Sequence, residues 1–285
     1  MKLLGRFFEM LRFFNFLKKN YQSLNLIEIS QENLVHNYHY LSSLDKRVKI
    51  APVVKSNGYG HGITNVAKIF DQVNAPFFCV DSLYEAYDLL KATIKTPVLI
   101  TGYTNPENLK VKKLPFSYAV FTLDLAKVIN DFQPQAGVHI FVDTGMHREG
   151  ITIEELPGFL DELKKLPNLK IEGLMSHLAS SENKSDPLFL KQIQQFKKAK
   201  EIIKKQGLNP SWFHIAATGS IINPQTRPIV AGVSNLGRAG LALYGYSSST
   251  QDTNLKPALT LTTKIAQIKK VSKGEKLGYD GTYTA

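Results

Sequence analysis

A chain of 285 residues can hold one large domain or two ordinary ones, and 43% hydrophobic with 21% charged residues describes a globular protein able to bury a core. The single cysteine, Cys79, excludes an intramolecular disulfide and suits a reducing cytoplasm. The net charge of +11 raises nucleic-acid binding, but the lysines lie mostly on helix-like stretches such as 196–205, and no zinc-ligand spacing or RNA-binding aromatic string accompanies them, so nucleic acid is set aside and no metal is expected.

Residues 1–23 read as a basic amphipathic extension. Leu3, Leu4, Phe7, Phe8, Leu11, Phe14 and Leu17 follow helical spacing, interrupted by Arg6, Glu9 and Arg12. That pattern is too broken for a transmembrane span and lacks a signal-peptide cleavage site, so residues 1–19 are expected to make at most weak contact with a membrane surface. From Leu24 the chain alternates. Strands are expected at 24–29, 48–54, 76–80, 97–101, 118–121, 139–142, 169–175 and 212–215, with a Gly-rich turn and apolar run at 235–244. Helices are expected at about 30–41, 62–71, 82–92, 106–113, 123–132, 153–165 and 187–206, with Ser30 capping the first and Ser82 beginning the third. About eight strand–helix units over residues 24–255 predict a (β/α)8 TIM-type barrel in an α/β fold. A doubly wound sheet is the alternative, weakened by the lack of a GxGxxG signal after the first strand. After Pro257 the composition changes to ALTLTTKIAQIKKV, which alternates like a β-meander. Residues 256–285 are therefore expected to begin a second, β-rich domain, since roughly 30 residues do not make such a domain with its own core.

In a barrel, chemistry gathers where strands end. After the expected strand 48–54 comes Lys55, then Ser56-Asn57-Gly58-Tyr59-Gly60-His61-Gly62. A lysine at a strand's C-terminal end, beside a glycine loop, is placed to face a pocket and to act as an amine nucleophile when partly desolvated. A solvated lysine before a flexible loop is the plainer reading of those residues alone. Other strand ends deliver Asp143-Thr144-Gly145-Met146-His147-Arg148, then Ser176-His177, Ala217-Thr218-Gly219 and Gly237-Arg238-Ala239-Gly240.

APVVKSNGYGHG, VDTGMHREGI, GLMSHLA and LGRAGLALYG, in this order, closely resemble the motifs of the alanine racemase family, and KPALTLTTKIAQIKKV followed by GYDGTYTA resembles the start of that family's second domain. The resemblance covers the chain from about residue 26 onward. It implies a pyridoxal 5'-phosphate (PLP) enzyme that racemises an amino acid, alanine first, in supply of D-alanine for peptidoglycan precursors. It implies that Lys55 carries the cofactor and that Arg238, supported by His177, donates to its ring nitrogen. Tyr59, Thr218 and the backbone at Gly240 and Leu241 would hold its phosphate. Arg148 would meet the substrate carboxylate. Tyr279 would be the second proton carrier, contributed across the interface of a homodimer. Four positions depart from the family: Phe141 where many relatives carry a carbamylated lysine, Ala217 and Thr218 where asparagine and serine are usual, and His147 where a small residue is usual. These leave open a different or broader amino-acid range. A non-catalytic PLP-binding barrel is the other alternative, opposed by the stretch 257–285 with Tyr279. The resemblance also makes the chain look truncated at its C-terminal end.

Overall fold

The computed structural model describes residues 23–247 and 254–285. The expected N-terminal helix over residues 1–19 lies outside them. Among the described residues no helix is long and apolar enough to cross a membrane. The chain divides into two compact units, one of residues 29–258 and one in which residues up to Glu28 join Leu259–Ala285.

The larger unit is the barrel. Its strands are β2 (Lys49–Pro52), β3 (Phe78–Val80), β4 (Val98–Ile100), β5 (Phe116–Val120), β6 (Gly137–Phe141), β7 (Lys170–Met175), β8 (Trp212–His214), β9 (Ala216–Ala217) and β10 (Leu236–Ala239), after β1 (Asn25–Ile29) of the smaller unit. Strands β3 to β8 pair in sequence order, all parallel. Strand β10 lies between β2 and β9, with Arg238 opposite Ala51 and Ala217. The Val54 amide donates to the Cys79 carbonyl at 2.9 Å, and the Asn235 amide to the Phe213 carbonyl at 3.0 Å, so the ring closes through β2–β3 and β8–β10. This is a (β/α)8 barrel. Its strands are apolar on both faces because helices cover the outside while side chains fill the inside. Every residue of β3, β4 and β6 is buried.

Side-chain caps set the helix starts. Ser30, Ser82 and Thr122 each accept a backbone N–H three residues on, before helices Gln31–Leu44, Leu83–Lys91 and Leu123–Phe132. Asp186 caps the long helix Pro187–Lys205 by accepting the Leu188 amide, two residues on. Two short helices, Thr218–Ile222 and Arg227–Ala231, occupy a stretch that reads as loop because Gly219, Pro224 and Pro228 punctuate it. In the smaller unit, β1 pairs with β11 (Leu259–Thr263), and β12 (Lys276–Leu277) with β13 (Tyr283–Thr284). The alternation expected to run on from β11 forms no ladder over residues 264–275. A strand exists only where another strand satisfies its backbone groups.

Candidate active site

The C-terminal ends of the strands surround a cavity of about 330 Å³. Lys55 enters it from a backbone held in an unusual state. Ser56, Asn57, Gly58 and Tyr59 all have positive φ, from 52° to 61°, so one turn of left-handed helix follows the lysine. Each non-glycine residue there costs about 1–2 kcal/mol relative to the right-handed form. The turn is held from outside. Glu85 accepts the Ser56 amide at 2.6 Å and the Asp81 amide at 2.8 Å, and the Asn57 side chain accepts the Ile63 amide at 2.9 Å. At Gly58 a Cβ would stand 2.7 Å from Val66 Cγ2, so no larger residue fits the crossing. Thus fixed, Lys55 Nζ sits 3.1 Å from Asp81 Oδ1.

Arg238, buried to 7% exposure, lines the same cavity. One terminal nitrogen donates to the His214 carbonyl at 2.9 Å and lies 2.7 Å from His214 Nδ1. The other donates to the Ser176 carbonyl at 2.6 Å and lies 3.1 Å from His177 Nδ1. Burial, with Arg238, Arg148 and Lys55 nearby, pushes the His177 imidazole down to about 3. His214 is likewise pushed well below its ordinary value by burial and Arg238. Both rings are therefore neutral acceptors for a group that can only donate.

A third corner is small and polar. The Gly240 amide donates to Thr218 Oγ1 at 3.1 Å. A Cβ on Gly240 would overlap the Tyr59 hydroxyl, which occupies the space that glycine leaves. Burial raises the Tyr59 phenol, whose ring packs on Tyr244 at 5.2 Å. Leu241 closes this side.

Lys55, Tyr59, Arg148, His177, Thr218, Arg238, Gly240 and Leu241 thus line a single cavity. Arg148 is its least restrained cation, 54% exposed, with Nε 3.6 Å from Glu149. Phe141 lies beneath, packed edge-on against Phe121 with Met175, and offers Arg148 no polar partner. The preceding Asp143 is used structurally: it accepts the amides of Gly145, Met146 and His147. Those bonds outweigh burial and hold its carboxyl below the usual range. Ala217 lines the cavity without a polar atom, and the Ser220 hydroxyl bonds its backbone instead. Cys79 also reaches the lining, its thiol pushed up to about 12 by burial. Tyr279 belongs to the smaller unit, on a short 3-10 turn, and is 96% exposed.

Sequence reasoning missed Asp81, Glu85, His139 and His214. The histidines carried a signal. Each sits within an apolar strand, where a buried imidazole must find partners.

The arrangement fits PLP. Lys55 can take the carbonyl group, Arg238 can donate to an unprotonated ring nitrogen but accept nothing, and the Thr218–Gly240–Tyr59 corner leaves small polar space for a phosphate.

The comparisons agree with that chemistry. Residues 29–248 match the family model for the N-terminal domain of alanine racemase. The alanine racemase of Carboxydothermus hydrogenoformans is 34% identical over 268 residues, covering 90% of this chain and 70% of that protein. That of Borreliella burgdorferi is 31% identical over 284 residues, covering 94% and 73%. Among solved structures, the Clostridium difficile 630 alanine racemase superposes with a TM-score of 0.82 at 28% identity, covering 92% of this chain and 70% of that one. The Bacillus anthracis alanine racemase with bound L-Ala-P gives 0.80 at 31% identity, covering 93% and 70%. Barrel and relatives together define an amino-acid racemase. The chain belongs to the alanine racemase family.

Proposed function

We propose that the protein interconverts L- and D-alanine with PLP as cofactor, as a homodimer, through proton transfer by Lys55 and Tyr279. The observation that carries this reading is the convergence of Lys55, Arg238, Thr218 and Gly240 on one cavity. Alanine is assigned because the relatives are alanine racemases, one of them solved with L-Ala-P. A lone buried thiol at Cys79 suits the cytoplasm as the place of work.

When bound, PLP supplies an electrophilic carbonyl and a ring that takes up the electron pair left by a departing α-proton. Lys55 is the residue that holds it covalently. Arg238 keeps the ring nitrogen unprotonated, because a guanidinium donates a hydrogen bond without giving up its proton. Held so, Arg238 would favour return of the proton over loss of the carboxyl group. Tyr59, Thr218 and the Gly240–Leu241 backbone hold the phosphate. Arg148 meets the substrate carboxylate, and Glu149 is the anionic neighbour that restrains it where Phe141 offers nothing. Lys55 Nζ would move the α-proton on one face. The Tyr279 hydroxyl of a second copy moves it on the other.

Absorbance of the protein with PLP, in wild type and Lys55→Ala, tests cofactor attachment. We expect a band of lysine-linked cofactor that the substitution abolishes. A band unchanged by Lys55→Ala would sink the assignment. Solvent deuterium incorporation at the α-carbon of L- and D-alanine tests the reaction. Tyr279→Phe should suppress exchange from one enantiomer far more than from the other. Equal, unimpaired exchange from both would remove Tyr279 from the mechanism.

A further inference from the structure

Behind Arg238, the barrel interior carries a file of polar groups in a place where apolar side chains are the rule. His214 Nε2 lies 2.8 Å from His139 Nδ1. Both histidines are buried, at 0% and 1% exposure. On its far side, His139 Nε2 faces Glu172 Oε2 at 3.9 Å. There the Ser117 hydroxyl donates to the same carboxylate at 3.0 Å. These groups open on a second cavity of about 250 Å³, lined by His139, Glu172, Ser117, Phe77 and Trp212. Phe77 packs edge-on against both imidazoles, at 5.3 and 6.1 Å. Gly137 and Gly173 provide the room. A Cβ on Gly137 would overlap the Glu172 carboxylate, and one on Gly173 would overlap His139 Nδ1.

The hydrogen-bond directions follow from one fact. A guanidinium can only donate. Arg238 therefore donates to His214 Nδ1, and a neutral His214 must carry its proton on Nε2. That proton points at His139 Nδ1, which must accept it, so His139 carries its own proton on Nε2, toward Glu172. The chain runs one way, from Arg238 through His214 to His139. A proton added to either ring would set N–H against N–H and push Arg238 out of place.

We propose that His139 is a positioning residue: by accepting from His214 it locks the one-way chain that fixes the rotation of Arg238, whose four terminal N–H groups are then all engaged and whose one remaining donor is the Nε–H. Its consequence for catalysis rests on Arg238 acting on the cofactor ring as proposed above. The chain itself does not.

The test uses the full chain labelled with ¹⁵N-histidine, at neutral pH, with long-range ¹H–¹⁵N correlation to assign tautomers. In the wild type, both His139 and His214 should be Nε2–H tautomers, with the His214 Nε2–H proton far downfield. His139→Gln retains an acceptor oxygen and should leave the His214 tautomer and the Arg238 guanidinium signals in place. His139→Phe removes the acceptor, so the downfield His214 proton should be lost and the Arg238 signals should shift. In PLP-loaded protein, His139→Phe should also shift the cofactor absorbance band, and His139→Gln should restore it. An Nδ1–H tautomer or an imidazolium at either position in the wild type overturns the proposal. So does a His139→Phe variant whose His214 and Arg238 signals are unmoved. Should His139→Phe fail to fold, the wild-type tautomers and the His139→Gln variant still decide. If the tautomers are as expected but wild type shows no cofactor band, the PLP reading fails while the chain stands.

Discussion

The rim of the barrel and its interior spend polar groups differently. At the rim, carboxyl and amide side chains hold backbone in conformations it would not otherwise keep. Glu85 ties Ser56 to Asp81, Asn57 caps Ile63, and Asp143 gathers three amides of its loop. Five consecutive residues at positive φ, Ser56 to Gly60, and His147 at 55°, are the conformations so held. In the interior the unusual feature is chemical, a pair of neutral imidazoles packed among apolar side chains, one of them at a register shift between β6 and β7. The rim can afford strain because water and side-chain anchors share the load. The interior tolerates polarity only where every donor has a partner. Both devices serve the same end: Lys55 and Arg238 are held at one cavity.

The largest effect should come at the rim. Lys55→Ala should lower racemisation by on the order of 10²–10⁴-fold, the range for losing a proton-transfer group, while leaving the thermal transition near that of wild type. Rates with L- and D-alanine and a melting curve check both halves. The interior should give the opposite pattern. Gly173→Ala drives a Cβ into the His139 ring. It should destabilise by about 1–3 kcal/mol or more as an overpacked site, measured by denaturant unfolding. If Gly173→Ala were silent in stability, the interior would be looser than its packing implies.

The two regions also differed in what the sequence disclosed. The strands were legible because buried parallel strands are continuous apolar runs, and helix starts because Ser30, Ser82 and Thr122 announce themselves. Strand ends then pointed to Lys55, Arg148, His177, Thr218 and Arg238, and these line one cavity. The left-handed turn after Lys55 was not legible, since Ser56, Asn57 and Tyr59 do not ask for positive φ. Glu85 imposes it from 29 residues away. Nor could spacing show that His214 stands between Arg238 and His139, because that depends on which side chains meet where three strands pack inside the ring. Residues 264–271 show the converse: alternation was plain, yet no ladder forms. Pattern proposes a strand, and a partner strand makes one.

Acid should affect the interior first. In the unfolded chain His139 binds a proton near its ordinary value of 6.5, but in the barrel burial and Arg238 push it down to about 3. Below 6.5 the unfolded state therefore holds a proton that the folded state refuses. The stability this represents is fully present above about 6.5 and is lost progressively as pH falls toward 3. For His139 alone the loss at pH 5 is on the order of 2 kcal/mol, and His214 shifts in the same direction. Denaturant midpoints at pH 7 and pH 5 should show this drop in wild type and a smaller one in His139→Gln. An equal drop in both would mean that the acid sensitivity originates elsewhere.

The smallest effect is the most local. Glu85 touches no cavity-lining group except through Asp81 and the turn, so Glu85→Ala removes two acceptors from backbone amides near solvent. Water can replace them in part, and the expected cost is about 1–2 kcal/mol. Global stability is the poorer readout of that change. Amide exchange should quicken at Ser56 and Asp81, while the amides of the strands keep their protection. The left-handed turn would then relax toward ordinary backbone, carrying Lys55 Nζ away from its 3.1 Å contact with Asp81. Racemisation should fall more than stability does, because the relaxed turn displaces Lys55 and, with it, Tyr59 of the phosphate corner, while Arg238 keeps its partners. Protection at Ser56 unchanged in Glu85→Ala would mean that Asn57 and Gly58 hold the turn without the carboxylate.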